Sequence, residues 1–394
     1  MREELDRKVM AALSGGHLAV DFASGAVPAL LPFLVLEFDL SYTATAALML
    51  AVLVSSSVVQ PLFGLWSDRR GAMWLLPGGV ALAGVGTGLA AAAPSYALVL
   101  LLVFVAGIGI AAYHPEGAKF AAYASGRKRA SGMSYFNIGG NTGYALGPIV
   151  VTPLVIWLGL EGGLVAMLPV LVVAGILFRV LPSLGRVAPE RSSRRASHGD
   201  DDLRAMSLLA VVIAFRSVAW FGLLTFVPLW VVENGGTEGE GNRTLALMLV
   251  AGAVGTLVLG PVADRLGLRR TLLVTQAALP VLIVLFVAMG GVVGTLALML
   301  VGLCVVGTFG VTIVLSQLYL PRHVGVASGL SVGLAMGLGG IAAVALGAVA
   351  DAVDLETALY VAAAAPVVGC VVCLLLPPPV GLARPHEVAP AAIV

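Results

Sequence analysis

Along this chain, apolar stretches of roughly 20 residues or more alternate with short polar or charged breaks. A helix of that length crosses about 30 Å of hydrocarbon. The pattern predicts membrane spans at about 10–36, 43–64, 73–93, 96–123, 132–158 and 162–181, then 206–232, 244–261, 271–289, 294–319, 326–350 and 356–376. No period-two alternation competes with them, and lipid offers an open strand no partner for its backbone, so the spans are read as helices. The expectation is an all-α integral membrane protein with twelve transmembrane helices.

The breaks between spans differ in charge. Arg2, Arg7 and Lys8 precede the first span, Arg69 and Arg70 follow the second, and Arg127, Lys128 and Arg129 follow the fourth. The same set of loops carries Arg186, Arg191, Arg194, Arg195 and Arg204, then Arg265, Arg269 and Arg270, then Arg322. The opposite set holds Glu37, Asp39, Glu161, Glu233, Glu238, Glu240, Asp351, Asp354 and Glu356, with Arg243 as its one base. By the positive-inside rule both termini are expected in the cytoplasm, for a multi-pass protein of the inner (plasma) membrane. The long polar insertion "PSLGRVAPERSSRRASHGDDDLRA" divides the chain into an N-terminal six-helix half (1–181), a cytoplasmic linker (182–205) and a C-terminal six-helix half (206–394).

Composition narrows the class further. At 59% hydrophobic and 11% charged, the chain has too little polar material to cover a water-soluble body of 394 residues. The charged start "MREELDRKVM" leads into a long span with no A-x-A-like cleavage site, so no removable signal is expected. Cys304, Cys370 and Cys373 lie inside apolar spans, and Cys370-x-x-Cys373 has neither histidine nor acid beside it, so packing is expected there. A net charge of +1 that follows topology gives nucleic acid no footprint, and no nucleotide loop, nucleophile motif or zinc signature points to an enzyme or a cofactor.

The halves repeat. "GLWSDRRG" at 64–71 matches "GPVADRLG" at 260–267, and "PFLVLE" at 32–37 matches "PLWVVE" at 228–233, both 196 residues apart. "ASGMS" at 130–134 matches "ASGLS" at 327–331 at an offset of 197. A duplicated six-helix unit with near-constant offset is the parallel-repeat architecture in which a substrate binds near the midplane between halves.

Ionisable groups deep in the spans are the candidates for that site, because each costs about 2.5 kcal/mol or more at the bilayer centre unless it faces partners or water. His17 and Asp21 stand four apart on one helical face of the first span, with Ser24 and Pro28 continuing the stripe. The fourth span carries His114, Glu116 and Lys119 within "AAYHPEGAKFAAYAS", and Arg216 lies well inside the seventh. On an ideal helix His114 and Glu116 point about 200° apart, so both reach one cavity only if Pro115 distorts the helix. Glu116 and Lys119, about 60° apart, can instead pair with each other, and Lys119 can also snorkel. A carboxylate in a dry cavity can hold a proton near neutral pH, which makes Asp21 or Glu116 the expected carrier, with His17 and His114 tuning or relaying. Arg216 is expected to hold an anionic group of the substrate, with Lys119, Asn137, Asn141, Tyr113 and Trp220 beside it. The alternative is a divalent transition metal on His17, Asp21, His114 and Glu116. In the fifth span Gly139, Gly143 and Gly147 share a face that lets another helix approach, and Pro148 kinks it.

Gly64-x-x-x-Asp68-Arg69-x-Gly71 and its second copy, Gly260 to Gly267 with Asp264, Arg265 and Gly267, resemble the loop signature of the major facilitator superfamily. The first copy departs from it at Ala72, Met73 and Trp74, where further bases are usual. The resemblance spans the whole chain and implies the two-half fold of that superfamily, a functional monomer, alternating access, and a gate at the two D-R-x-G loops. Gly143-x-x-x-Gly147-Pro148 is similar to the antiporter signature of its drug exporters, without the terminal glycine pair. "AGIGIAA" (106–112) is similar to its fourth-helix motif, but Val103 replaces the arginine, so a relay built on that arginine does not carry over. "GHLAVDF", "YHPEGAKFAAYASGRKR" and "GGNTGYALGP" together resemble the fosmidomycin-resistance branch. That implies proton-coupled efflux of a small, anionic or phosphonate-type drug or metabolite, a multidrug-resistance type of activity. Proton-coupled uptake of an organic anion is the other direction open to the same residues.

Overall fold

The computed structural model describes residues 5–70, 72–125, 129–185, 200–322 and 324–378. Thirteen α-helices and no strand occur among them: α1 (Arg7–Phe38), α2 (Tyr42–Arg70), α3 (Leu75–Ala91), α4 (Tyr96–Ala124), α5 (Arg129–Leu158), α6 (Gly162–Gly185), α7 (Leu203–Glu233), α8 (Glu238–Leu266), α9 (Leu268–Met289), α10 (Gly291–Gly307), α11 (Phe309–Tyr319), α12 (Val324–Ala352) and α13 (Leu355–Leu374). Most helices overrun the expected spans by a few residues into charged sequence, because a helix need not stop where hydrocarbon does. The linker is shorter than expected: Pro182 still lies inside α6 and α7 already begins at Leu203, while residues 186–199 fall outside the described residues.

The tenth span is not one helix. It breaks at Thr308, whose backbone leaves helical geometry (φ −98°, ψ 3°) and whose hydroxyl donates to the Cys304 carbonyl (2.7 Å). A threonine hydroxyl that bonds back to the preceding turn competes with the backbone ladder and bends a helix. Since α10 and α11 run consecutively through one span, the described residues hold eleven spans long and apolar enough to cross a membrane, and the shorter apolar helix α3 makes the twelfth member of the bundle.

Helices α1–α6 pack chiefly on one another, with α1 against α5, α3 against α4 and α2 against α4. Helices α7–α13 do likewise, with α8 against α10 and α7 against α13. The two sets meet where α2 lies along α12 and α5 along α8, with α1 touching α7. Both sets begin alike: the Asp6 side chain caps α1 at Val9 N–H and its own N–H donates to Ala124 O, while Asp202 caps α7 at Ala205 N–H and its N–H donates to Tyr319 O. The two caps stand 196 residues apart, the offset of the sequence repeat.

Glycine sets how closely α1 and α5 approach. A Cβ at Gly143 would collide with the Leu18 carbonyl, one at Gly139 with the Ser14 carbonyl and one at Gly147 with the Gly25 backbone. This backbone-to-backbone seam brings the His17–Asp21 face of α1 against α5, where a Cβ at Gly140 would lie 2.6 Å from Asp21 Oδ2.

Among the described residues, hydrogen bonds between the two sets gather at the end that bears the acidic loops. The N–H groups of Tyr42 and Thr43 at the start of α2 donate to the Asp351 carboxylate (2.7 and 2.9 Å), and the Tyr42 hydroxyl donates to Glu233 (2.8 Å). Asp351 thus caps α2 from the other half, satisfying donors a helix start leaves open. Asn242 donates to Ala29 O (2.8 Å), and Asn141 donates to Thr256 (3.2 Å) nearer the middle. At the same end Asp354 caps α13 by accepting from Thr357 N–H (2.7 Å), a bond that holds its carboxyl below the ordinary carboxylate range.

Candidate functional site

Between the halves lies a cavity of about 260 Å³. Its polar groups come from both sides: Asp21 and Ser24 on α1 and Asn141 and Tyr144 on α5, facing Arg216 and Trp220 on α7 and Thr312 on α11. The rest of the wall is largely apolar, including Phe221, Leu249 and Phe309.

On one wall His17, Asp21 and His114 converge. His17 Nε2 lies 3.3 Å from Asp21 Oδ2 and His114 Nε2 lies 3.2 Å from Asp21 Oδ1, so each ring has its own carboxylate oxygen. The far nitrogen of each ring is held by a backbone carbonyl: His17 Nδ1 by Phe136 O and His114 Nδ1 by Ile110 O, both at 2.8 Å. A carbonyl can only accept, so both Nδ1 atoms carry hydrogen. Phe136 stacks on His17 at 4.1 Å between centroids, and the two imidazoles meet edge to face at 5.1 Å. Each ring is thereby fixed by a carbonyl behind it and an aromatic or imidazole neighbour beside it.

On the opposite wall Arg216 is 2% exposed. Its Nη1 donates to Thr308 (3.0 Å) and its Nη2 to Thr312 (3.4 Å), and its guanidinium lies over Phe309 at 5.0 Å from the ring centroid. The helix break at Thr308 is what brings those hydroxyls and that ring to the guanidinium. Among the described residues no carboxylate pairs with Arg216, and its Nε–H has no hydrogen-bond partner. Trp220, one turn further along α7, packs edge to face on Phe309.

The sequence expectations distribute unevenly over this geometry. Asp21, Asn141, Arg216 and Trp220 line the cavity, and His17 and His114 back Asp21. Glu116 does not join them. Helix α4 runs unbroken through Pro115, so the ideal divergence of His114 and Glu116 persists; Glu116 is fully buried and pairs with Lys119 at 2.7 Å. A cluster of four metal-type ligands is corrected to three, since only His17, Asp21 and His114 bring donor atoms within 4.8 Å of one another. Tyr113, Lys119 and Asn137, expected beside the substrate, are absent from the cavity wall. Tyr113 is buried and donates to Leu13 O (2.5 Å), which ties α4 to α1, and Asn137 is exposed elsewhere on α5. Of the gate residues, Asp264 and Arg265 are exposed at the end of α8 and Gly267 takes a positive φ of 92° to turn the chain into α9. The side chains of Asp68 and Arg69, and the whole of Gly71, lie outside the described residues. Missed from the sequence were Thr308, Phe309 and Thr312; two threonines four apart in an apolar span were the available sign.

The sequence profile of the Major Facilitator Superfamily matches residues 13–344. The chain belongs to that superfamily. Relatives of this superfamily member include the uncharacterized MFS-type transporter YfnC of Bacillus subtilis (strain 168), 30% identical over 369 residues that cover 91% of this chain and 90% of the relative. The fosmidomycin resistance protein of Escherichia coli (strain K12) is 28% identical over 376 residues, covering 93% of this chain and 92% of the relative. Among solved structures, a bacterial homolog of the human lysosomal transporter Spinster, in an inward-facing and unoccupied conformation, superposes with a TM-score of 0.76 at 16% identity over 94% of this chain and 96% of that one. This major facilitator protein is accordingly a multi-pass membrane transporter of small molecules and not an enzyme.

Proposed function

We propose that this transporter moves a small organic anion across the plasma membrane, coupled to protons, by alternating access. One observation carries the reading: a buried arginine, with no carboxylate partner among the described residues, shares its cavity with the Asp21 of a His–Asp–His cluster. A lone buried cation costs folding energy and is retained where a ligand supplies the countercharge. The guanidinium offers Nε–H and its remaining donors to a carboxylate or phosphonate, and the apolar wall accepts the ligand's body. The protons reside on the cluster of His17, Asp21 and His114, with no cofactor. Glu116, held by Lys119 away from the cavity, serves packing.

Efflux is the direction that the fosmidomycin resistance relative supports, and proton-driven efflux is antiport. Uptake is the second reading, favoured by the placement of the anion site and the proton site in one cavity. The bonds that close the acidic end support a state open toward the basic end, which the charge pattern of the loops assigns to the cytoplasm, together with both termini. The halves then rock about the cavity, the D-R-x-G loops closing the inner side in the other state, and one chain suffices for the cycle.

The test is a proteoliposome assay with fosmidomycin as the probe. An imposed pH gradient should drive its movement, the sign of the gradient giving the direction, and Asp21→Asn should abolish the response while Glu116→Gln keeps it. Proton-driven movement that survives Asp21→Asn would remove the cluster from coupling. Stabilisation of the protein by zinc or cobalt, lost in His17→Ala and His114→Ala, would favour metal transport instead.

A further inference from the structure

We infer that the ligand is a monocyclic aromatic monocarboxylate, its one negative charge on Arg216 and its ring among Trp220, Phe221 and Phe309. The inference rests on the anion reading above and adds the chemical class of the ligand's body and the size of its charge.

The body follows from the wall. Aromatic side chains line the cavity from both halves: Tyr144 on α5, Trp220 and Phe221 on α7, and Phe309 on α11. Three of these rings are held in place by the protein itself. Trp220 meets Phe309 edge to face, with centroids 6.4 Å apart and planes at 88°. Phe309 opens α11 directly after the break at Thr308, and its ring lies under the Arg216 guanidinium at 5.0 Å. Phe221 fills the space that Gly339 on α12 leaves, since a Cβ at Gly339 would collide with the Phe221 ring. Rings fixed in this way present faces and edges in set directions. A ligand ring answers them with contacts stronger than its buried area alone provides, whereas an aliphatic body of equal size gains the area only. A rigid ring also loses little freedom on binding. At about 260 Å³ the cavity falls below the range of about 300–1,000 Å³ usual for drug-sized ligands, which sets the body at one ring.

The charge follows from the polar groups. Among the described residues, the cavity wall carries one cation, Arg216, and one carboxyl group, Asp21. Thr308 and Thr312 take an N–H each from Nη1 and Nη2 of Arg216, and its buried Nε–H has no hydrogen-bond partner. A carboxylate can take Nε–H together with a neighbouring Nη N–H as a bidentate pair, which neutralises the guanidinium. A second negative charge on the ligand would find no second cation in the wall, only the carboxyl of Asp21, so the cost of stripping its water would stay uncompensated.

Calorimetric titration of the full chain in detergent, at one pH, compares two matched pairs of ligands. Benzoate and cyclohexanecarboxylate share the head group and the number of non-hydrogen atoms, and benzoate should bind about fivefold tighter. Para-nitrobenzoate and terephthalate share one shape and differ by one charge, and para-nitrobenzoate should bind about tenfold tighter or more. Fosmidomycin, with an anionic head and no ring, should bind more weakly than benzoate. Trp220→Leu and Phe221→Leu should each reduce the preference for benzoate over cyclohexanecarboxylate, and the wild-type pairs alone carry the test should either variant fail to fold. Equal affinity within the first pair would overturn the aromatic body, and equal affinity within the second would overturn the single charge; either result leaves the anion reading standing. Binding of none of the five compounds would overturn the anion reading itself.

Discussion

Removing the Asp351 carboxylate should loosen the acidic end of the bundle. Asp351→Ala deletes the acceptor of two N–H groups at the start of α2, Tyr42 at 2.7 Å and Thr43 at 2.9 Å, contributed across the interface between the halves. Losing a helix N-cap costs roughly 0.5–2 kcal/mol, typically about 1. Because Asp351 is exposed, water and salt screen the helix-dipole share, and the middle of that range is the appropriate figure. About 1 kcal/mol is about a fivefold change in the ratio of closed to open states at that end. Adding Tyr42→Phe removes the bond to Glu233 at 2.8 Å, worth about 0.5–1.5 kcal/mol, so the double variant should shift the ratio by about tenfold or more. Spin labels at Glu161 and Asn234, in loops of opposite halves at this end and in a chain with its three cysteines replaced, report the separation by pulsed electron resonance. The expected result is a new, longer distance population in the single variant that grows in the double one. A distance distribution unchanged in both would show that these bonds do not hold the end shut, and a shorter one would reverse the reasoning.

Other expectations follow from the same contacts. Arg216→Lys keeps charge but loses the planar fork to Thr308 and Thr312 and the stacking on Phe309, so the half-saturating anion concentration should rise about tenfold; an unchanged saturation curve would reject Arg216 as the anion's partner. Gly143→Ala drives a Cβ into the Leu18 carbonyl and should destabilise the α1–α5 seam by about 1–3 kcal/mol, seen as a lower melting midpoint, whereas Gly175→Ala, with nothing within 4 Å, should leave the midpoint in place. Thr308→Val leaves an arginine N–H buried without its acceptor and should cost about 1–3 kcal/mol, restored largely by Thr308→Ser; equal melting of the valine and serine variants would show that the hydroxyl does not matter.

Much of the architecture was legible in the sequence because lipid imposes a simple code: about 20 apolar residues per crossing, bases on one side, and duplication visible at an offset of 196. The same code marked Asp21, His17, His114 and Arg216, since an ionisable group deep in a span is expensive wherever it lies. It could not say who faces whom. On one helix, spacing gives angles, and it left Glu116 either in the cavity with His114 or paired with Lys119; the unbroken course of α4 through Pro115 decided for the pair. The helix break at Thr308, which turns two hydroxyls and Phe309 toward Arg216, has only a local hydrogen bond as its cause and no signature in hydropathy. The latch of Asp351 on α2 joins residues about 300 positions apart, and the carbonyls that fix both imidazoles belong to the backbones of Phe136 and Ile110. Sequence alone determined the medium, the crossings and the costly residues, because those depend on transfer from water to lipid one segment at a time. Pairing, tautomer and the sharing of one cavity were decided only by tertiary structure, because they depend on directions between helices.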